Sequence, residues 1–193
     1  MRTALIVIDM QLGSFTPYSA RHDTLGTVEC INRLAEKVRA RDMPDMLGQH
    51  GVGVGVPRAL LQFGEAGVVQ HDGPVGDPHH PDAPGWHLLP ELDQAPADMV
   101  VRKTSCDAFL DTGLESLLER EKIEQVIVTG CASDFCIDTT VRSALARRYA
   151  TLVPSDGHTT SDRPHLSAVK IIEHHNAVWS DFLSPIGPAK VIP

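Results

Sequence analysis

The chain lacks a basic excess, a long apolar run and a close-spaced cysteine pair, and each absence removes a class of function. Seventeen Lys and Arg stand against 25 Asp and Glu in 193 residues, a formal net charge of -8. That balance offers no cationic track for a phosphate backbone, so nucleic acid is not an expected partner. No run approaches the roughly 20 apolar residues that a bilayer span needs, and no basic and apolar leader precedes the first apolar run, ALIVID. No membrane partner is expected, and the cytoplasm is the expected compartment.

The four cysteines are Cys30, Cys106, Cys131 and Cys136. Cys131 and Cys136 are not in Cys-x-x-Cys spacing, so neither a zinc knuckle nor a thioredoxin-like pair is signalled. A chain of this length with a core of its own does not need disulfides, and all four are expected to be reduced. Cys30 falls in a helical pattern, where a small buried thiol is the usual outcome.

What is present is a set of short apolar runs that end on reactive side chains. ALIVID ends on Asp9, MVVRK on Lys103, and QVIVTG leads through CASDF to Cys136. In an open α/β sheet the C-terminal strand edge is where ligands bind and where side chains from distant segments converge. An acid, an ammonium and a thiol gathered there suit thiolate attack on a carbonyl.

The order of elements supports that placement. Residues 4–8 form a β-branched run without alternation, as expected for a strand buried on both faces of a parallel sheet. Residues 24–42 carry Leu25, Val28, Ile31, Leu34, Ala35 and Val38 at spacings of three and four, the pattern of an amphipathic helix. Apolar runs recur at 67–70, 99–102, 126–129 and 150–153, with helices predicted over 112–122, 135–148 and 165–176. This alternation predicts one α/β domain over 1–193, a parallel sheet with helices on both faces. Residues 44–66 and 72–98 exceed the usual loop lengths. The first is open between a flexible connector, a lid and an oligomer contact, and the second is read as a loop leaving a strand end, a position suited to a pocket wall.

Several features have plainer readings than a site. Gly51, Gly53 and Gly55 alternate with valines, but no phosphate-loop Lys follows, so they are assigned to the connector. Asp77 and His79 have Asp-x-His spacing, with His80 beside them and His71 upstream, yet the surrounding PVGDPHHPDAPG reads as a solvated loop and no metal or cofactor is expected. His174 and His175 are expected to close the last helix near its exposed carbonyls. Cys136 is different. It falls in the first turn of the helix predicted from Phe135, where the macrodipole and Lys103 should lower its pKa.

VIDMQ at 7–11, RKTSCDAF at 102–109, VTGCASDFC at 128–136 and SDGHTT at 155–160 together resemble the isochorismatase-like cysteine hydrolases. The resemblance implies a Rossmann-like three-layer α/β/α sandwich with a six-stranded parallel sheet, and a catalytic triad of Asp9, Lys103 and Cys136. It also implies a cis peptide between Cys131 and Ala132, with the backbone amides of Ala132 and Cys136 as the oxyanion hole. Phe15, Trp86 and Phe135 are the aromatic residues that motif position places at a small pocket, with core packing as the alternative for each.

Departures within the family narrow the expected chemistry to a C–N bond in a small amide or lactam. Isochorismate-cleaving members lack the cysteine, which this chain has. Nicotinamidase types carry a metal-binding Asp-x-His directly after the second strand, where this chain reads QHDGPVGD, so the pattern is missing or displaced to Asp77 and His79, and a nicotinamidase-type or isochorismatase-type hydrolase is the alternative. GVVQHDGPVGDP and PGWHLLPEL resemble the broader amidase-like branch, including the streptothricin hydrolase type. A homodimer or higher homo-oligomer is expected from the same resemblance. Two other classes compete: a non-catalytic binding domain on the same fold, and a thiol redox protein using Cys131 and Cys136.

Overall fold

The computed structural model describes residues 1–15, 20–40, 66–96 and 98–193. Residues 44–65 of the connector, with Gly51, Gly53 and Gly55, lie outside the described residues. The first strand, β1 (Thr3–Ile8), is buried on both sides. Its Ala4, Ile6 and Ile8 enter one core cluster and its Leu5 and Val7 the other. This two-faced burial is why the run is apolar without alternation.

The further strands are β2 (Ala66–His71), β3 (Met99–Lys103), β4 (Gln125–Cys131), β5 (Ala150–Pro154), β6 (His158–Thr159) and β7 (Lys190–Ile192). They form one parallel sheet in the order β3-β2-β1-β4-β5-β7, with the short β6 beside the end of β4. The five apolar runs of the sequence are strands, whereas the two-residue β6 and the three-residue β7 carry too little periodicity to be read in advance. The chain leaves β1 in one direction towards β2 and β3, and β4 lies on its other flank. The crevice beyond the ends of β1 and β4 is therefore the switch point at which such sheets bind ligands.

Helix α1 (Thr24–Ala40) covers one face through Val28, Ile31, Leu34, Ala35 and Val38. Asp23 accepts from the amide of Gly26 and so caps its first turn. Helices α2 (Leu114–Arg120), α3 (Asp138–Ala146) and α4 (Ala168–Ser180) supply the opposite face, where Leu118, Val141, Leu145 and Trp179 are buried. The result is the three-layer arrangement expected.

Two helix boundaries differ from expectation. The segment predicted as one helix from Phe135 opens with a π-helical turn over Ser133–Ile137 before α3 begins. The amide of Ile137 reaches back five residues to the carbonyl of Ala132, a widening that hydrophobic spacing does not report. The last helix starts later and ends later than 165–176. Ser167 caps it, accepting from Lys170 N at 3.4 Å, and Asp162 accepts from Ala168 N at 2.8 Å. His174 and His175 therefore do not close it. His175 lies within the helix, its ring 5.5 Å from that of Trp179.

One buried histidine ties the C-terminal half together. His158 Nδ1 lies 2.8 Å from Ser133 Oγ, Nε2 lies 3.0 Å from Asn176 Oδ1, and its ring meets Trp179 edge-on at 5.1 Å. An amide oxygen only accepts, so Nε2 carries the proton and Nδ1 accepts from the Ser133 hydroxyl. Burial pushes its pKa down to about 4, against the help of the Asn176 contact. A histidine whose folded pKa is depressed stabilises the fold fully above its unfolded pKa, near 6.5. That contribution is lost as pH falls towards 4, because the unfolded chain takes up the proton first. The linked loss is roughly 3 kcal/mol at the acid end. Urea unfolding of the wild type should therefore show a steep fall in stability between pH 6.5 and 4, and His158→Gln should flatten it. An equal acid loss in both proteins would place the sensitivity elsewhere.

Candidate active site

Strand ends place the three reactive side chains. Asp9 directly follows β1 in the left-handed region, at φ 50, a conformation that Asp adopts more readily than most residues. Lys103 ends β3 in register with His71 at the end of β2. Cys136 lies on the π-helical turn after β4. At the end of β4, Gly130 has φ +118, and a β-carbon there would fall 2.1 Å from the carbonyl oxygen of Ile8. Only glycine lets β4 press this closely on β1. The peptide between Cys131 and Ala132 is cis.

The Lys103 side chain is fully buried and its three protons all have acceptors. Nζ donates to Asp9 Oδ2 at 2.7 Å, to the Ser105 carbonyl at 2.8 Å and to Cys136 Sγ at 3.4 Å. Burial works against its charge, but Asp9 and Cys136 outweigh that and hold the pKa above the usual lysine range. The other Asp9 oxygen, Oδ1, is buried with no hydrogen-bond partner among the described residues. A buried carboxylate oxygen left open beside a thiol is placed to receive a proton.

The Cys136 thiol itself departs from expectation. Its pKa is raised rather than lowered: burial contributes most, then the Asp9 charge, and Lys103 opposes them. The residue is not in the first turn of an α-helix but on the π turn, and the ammonium beside it is shared with a carboxylate. The raised pKa favours a protonated sulfur at rest. Cys131 and Cys30 are buried and each is pushed up to about 12, chiefly by that burial. Cys30 also donates to Asp156. All four cysteines are free, so no disulfide joins Cys131 to Cys136.

A cavity of about 250 Å³ opens over Asp9 and Cys136. Ala132 and Phe135 line it from the β4 side, and Ser14, Arg21, His71 and His79 from the other. Phe135 is half exposed, and the Arg163 guanidinium lies 5.0 Å from its ring centre. Arg163 is held in turn by Asp134, which also accepts from Thr160. The other two aromatic candidates turn away from the cavity. Phe15 packs against the α1-side core and lines a neighbouring groove. Trp86 donates from Nε1 to Asp72 at 2.8 Å and lies under the Arg102 guanidinium, 5.3 Å from its centre. Its carbonyl, not its ring, is used near the site, accepting from Gln11 and Gln70.

The loop after β2 is fixed rather than solvated. Gln11, fully buried, donates to the carbonyls of His71 and Trp86 and accepts from His71 N at 2.8 Å. Asp77 Oδ1 accepts from His79 N at 2.7 Å and lies 3.0 Å from His79 Nδ1, while His79 Nε2 lies 2.9 Å from Ser14 Oγ. Both ring nitrogens of His79 are thus engaged, which leaves it no lone pair aimed at a metal. His71 Nδ1 is buried without a hydrogen-bond partner among the described residues, and burial and Lys103 lower the pKa of that ring. Among the described residues no group of three or more His, Cys, Asp or Glu is placed to hold a metal ion. Gln11, Ser14, Arg21 and His158 have no distinctive spacing in the sequence. VIDMQ and SDGHTT mark where two of them fall, but not what they contact.

The isochorismatase domain model matches residues 3–181, and the chain belongs to that family. Among curated proteins it is similar to a streptothricin hydrolase of Streptomyces noursei, 31% identical over 161 residues that cover 83% of this chain and 56% of that protein. It is also similar to the ureidoacrylate amidohydrolase RutB of Variovorax paradoxus, 28% identical over 80% of this chain and 67% of that protein. The chain thus spans little more than half the length of its streptothricin hydrolase relative. The crystal structure of an isochorismatase family protein superposes with a TM-score of 0.80 at 26% identity, over all of this chain and 98% of the other. At 20% identity, the N-carbamoylsarcosine amidase of Thermoplasma acidophilum shares the fold with a TM-score of 0.70.

The shared ammonium makes opposite predictions for its two partners. Asp9→Asn removes the charge that disfavours thiolate and leaves Lys103 facing sulfur alone, so the apparent pKa for Cys136 alkylation by iodoacetamide should fall. Lys103→Gln should move it upwards. It should also destabilise the fold by about 3–5 kcal/mol in urea, since one partner of a buried pair is left uncompensated. Shifts of the same sign in both variants would contradict the arrangement.

Proposed function

We propose that this chain is a cysteine-dependent amidohydrolase that opens the C–N bond of a small carboxamide or lactam through a thioester on Cys136. The observation that carries the reading is the Lys103 ammonium bonded at once to Asp9 and to Cys136 beneath a small cavity. The family membership and the amide-cleaving names of two relatives support the same class.

Asp9 takes the thiol proton on its open oxygen as Cys136 sulfur bonds to the carbonyl carbon. The amides of Ala132 and Cys136 receive the developing oxyanion. Collapse breaks the C–N bond, and Asp9 hands its proton to the departing nitrogen. Water then attacks the thioester carbon, giving one proton to Asp9, and the C–S bond breaks as that proton returns to sulfur. Throughout, Lys103 keeps the carboxylate and sulfur in contact and offsets whichever of them is anionic. Positioning by a group with no free proton of its own is its role, not proton transfer.

Cys136→Ser should retain the fold and lose turnover on a panel of small primary amides and lactams scored by amine or ammonia release, by about a thousandfold or more. Acid quench of the wild type during turnover should trap an acyl mass on the Cys136 peptide. Exhaustive chelation should leave the rate unchanged, because the thiol supplies the nucleophile. Activity that survives in Cys136→Ser, or that EDTA removes and zinc restores, would overturn the reading.

A further inference from the structure

Among the described residues the cavity carries one cation that the proposed chemistry does not use. Arg21 lines it together with Asp9 and Cys136, and also lines the adjoining groove of about 500 Å³ beside α1. Its Nε donates to the Ser14 carbonyl at 2.8 Å, which fixes the guanidinium while leaving its two terminal nitrogens out of any hydrogen bond or ion pair with the described residues. The other cations around the cavity are spent. Lys103 is paired with Asp9, and Arg163 is paired with Asp134. Glu91, the one carboxylate among the described residues of the groove wall, makes no ion pair with Arg21.

The electrostatic balance of the wall follows from these pairings. Asp9 and Lys103 cancel, and burial keeps His71 towards its neutral form. Arg21 is left as a surplus positive charge inside a chain whose formal net charge is -8. A planar fork of N–H donors, anchored at one end and open at the other, matches a carboxylate better than any other common anionic group of a small amide. Arg21 lines the same small cavity as Cys136, so a ligand with its carbonyl at Cys136 shares that space with the guanidinium.

We propose that Arg21 is a specificity-determining carboxylate anchor, so that the preferred substrates are small amides or lactams bearing a carboxylate on the part of the molecule that points towards the α1 groove. This rests on the reading of Cys136 as the nucleophile. Arg21 touches the substrate's anionic end and takes no part in bond making.

Two alkylating probes of matched size test the anchor without knowledge of the natural substrate. Iodoacetate and iodoacetamide both react by sulfur displacing iodide: the S–C bond forms, the C–I bond breaks and the thiol proton passes to solvent. Only iodoacetate carries the carboxylate. With labelling read on the Cys136 peptide alone, so that exposed Cys106 does not contribute, the wild-type rate ratio of iodoacetate to iodoacetamide should exceed that of N-acetylcysteine in the same buffer by about tenfold, the order expected for one charge-assisted contact. Arg21→Gln should return the ratio to the N-acetylcysteine value, the ratio cancelling any change in thiol reactivity common to both reagents, and Arg21→Lys should retain part of the preference. A wild-type ratio equal to that of the free thiol, or one unmoved in Arg21→Gln, overturns the anchor and leaves the hydrolase reading standing. A second arm does not depend on thiol reactivity. Succinamate, which carries both an amide and a carboxylate, should raise the Tm of Cys136→Ser and not that of Cys136→Ser/Arg21→Gln. If neither reagent alkylates Cys136, the nucleophile reading fails, and the succinamate comparison still decides the anchor: equal shifts in both variants, or none in either, reject it.

Discussion

A fully buried ammonium sets the terms for this site. Removing Lys103 from water costs several kcal/mol, and the fold can hold it only where every proton finds an acceptor and a carboxylate lies within contact. Asp9, the Ser105 carbonyl and Cys136 sulfur fill those three positions. The strand order makes this a demanding fit, because β2 lies between the strand that carries Lys103 and the strand that ends at Asp9. Neighbouring strands lie roughly 4.8 Å apart, so the side chain has to reach across about two such spacings. A long unbranched side chain with a terminal charge meets that need, and the ends of β1 and β3 are held in a fixed relation by it.

Once the ammonium is shared, the reactivity of the thiol follows. A lone cation beside sulfur would favour thiolate, but here the Asp9 charge and burial outweigh it, and the resting sulfur keeps its proton. The site is therefore a thiol beside an open carboxylate oxygen, not a preformed ion pair of thiolate and ammonium. Such an arrangement couples nucleophilic attack to proton transfer. In the proposed mechanism the same carboxylate then protonates the departing nitrogen.

Three hydrogen-bonded groups, two of them buried, hold the rim in place around this pair. Gln11 pins the loop after β2, His158 joins the π turn to α4 through Ser133 and Asn176, and Asp134 gathers Thr160 and Arg163 beneath Phe135. Each links segments far apart in the chain at the same edge of the sheet. Their satisfied polar contacts let irregular backbone stay ordered next to the cavity, where neither strand nor helix could supply the bonds.

The amino-acid sequence by itself determined the sheet and the positions of Asp9, Lys103 and Cys136 at its edge, because strands buried on both faces are continuous apolar runs and reactive residues stand out where such runs stop. The long amphipathic α1 was equally plain, since its stripe of Val28, Ile31, Leu34 and Val38 recurs at the helical period. Short elements were not: β6 and β7 are held by pairing with β4 and β5, not by any pattern of their own. Only the tertiary structure decided that the turn at Cys136 is π-helical, that burial and Asp9 raise its pKa, and that Phe135 faces the cavity while Phe15 and Trp86 do not. It also brought to the cavity wall Arg21, which no motif marks, and His79, from a segment that reads as loop. Those outcomes depend on distances between residues remote in sequence, and burial, electrostatic sharing and side-chain direction are fixed only when the layers pack.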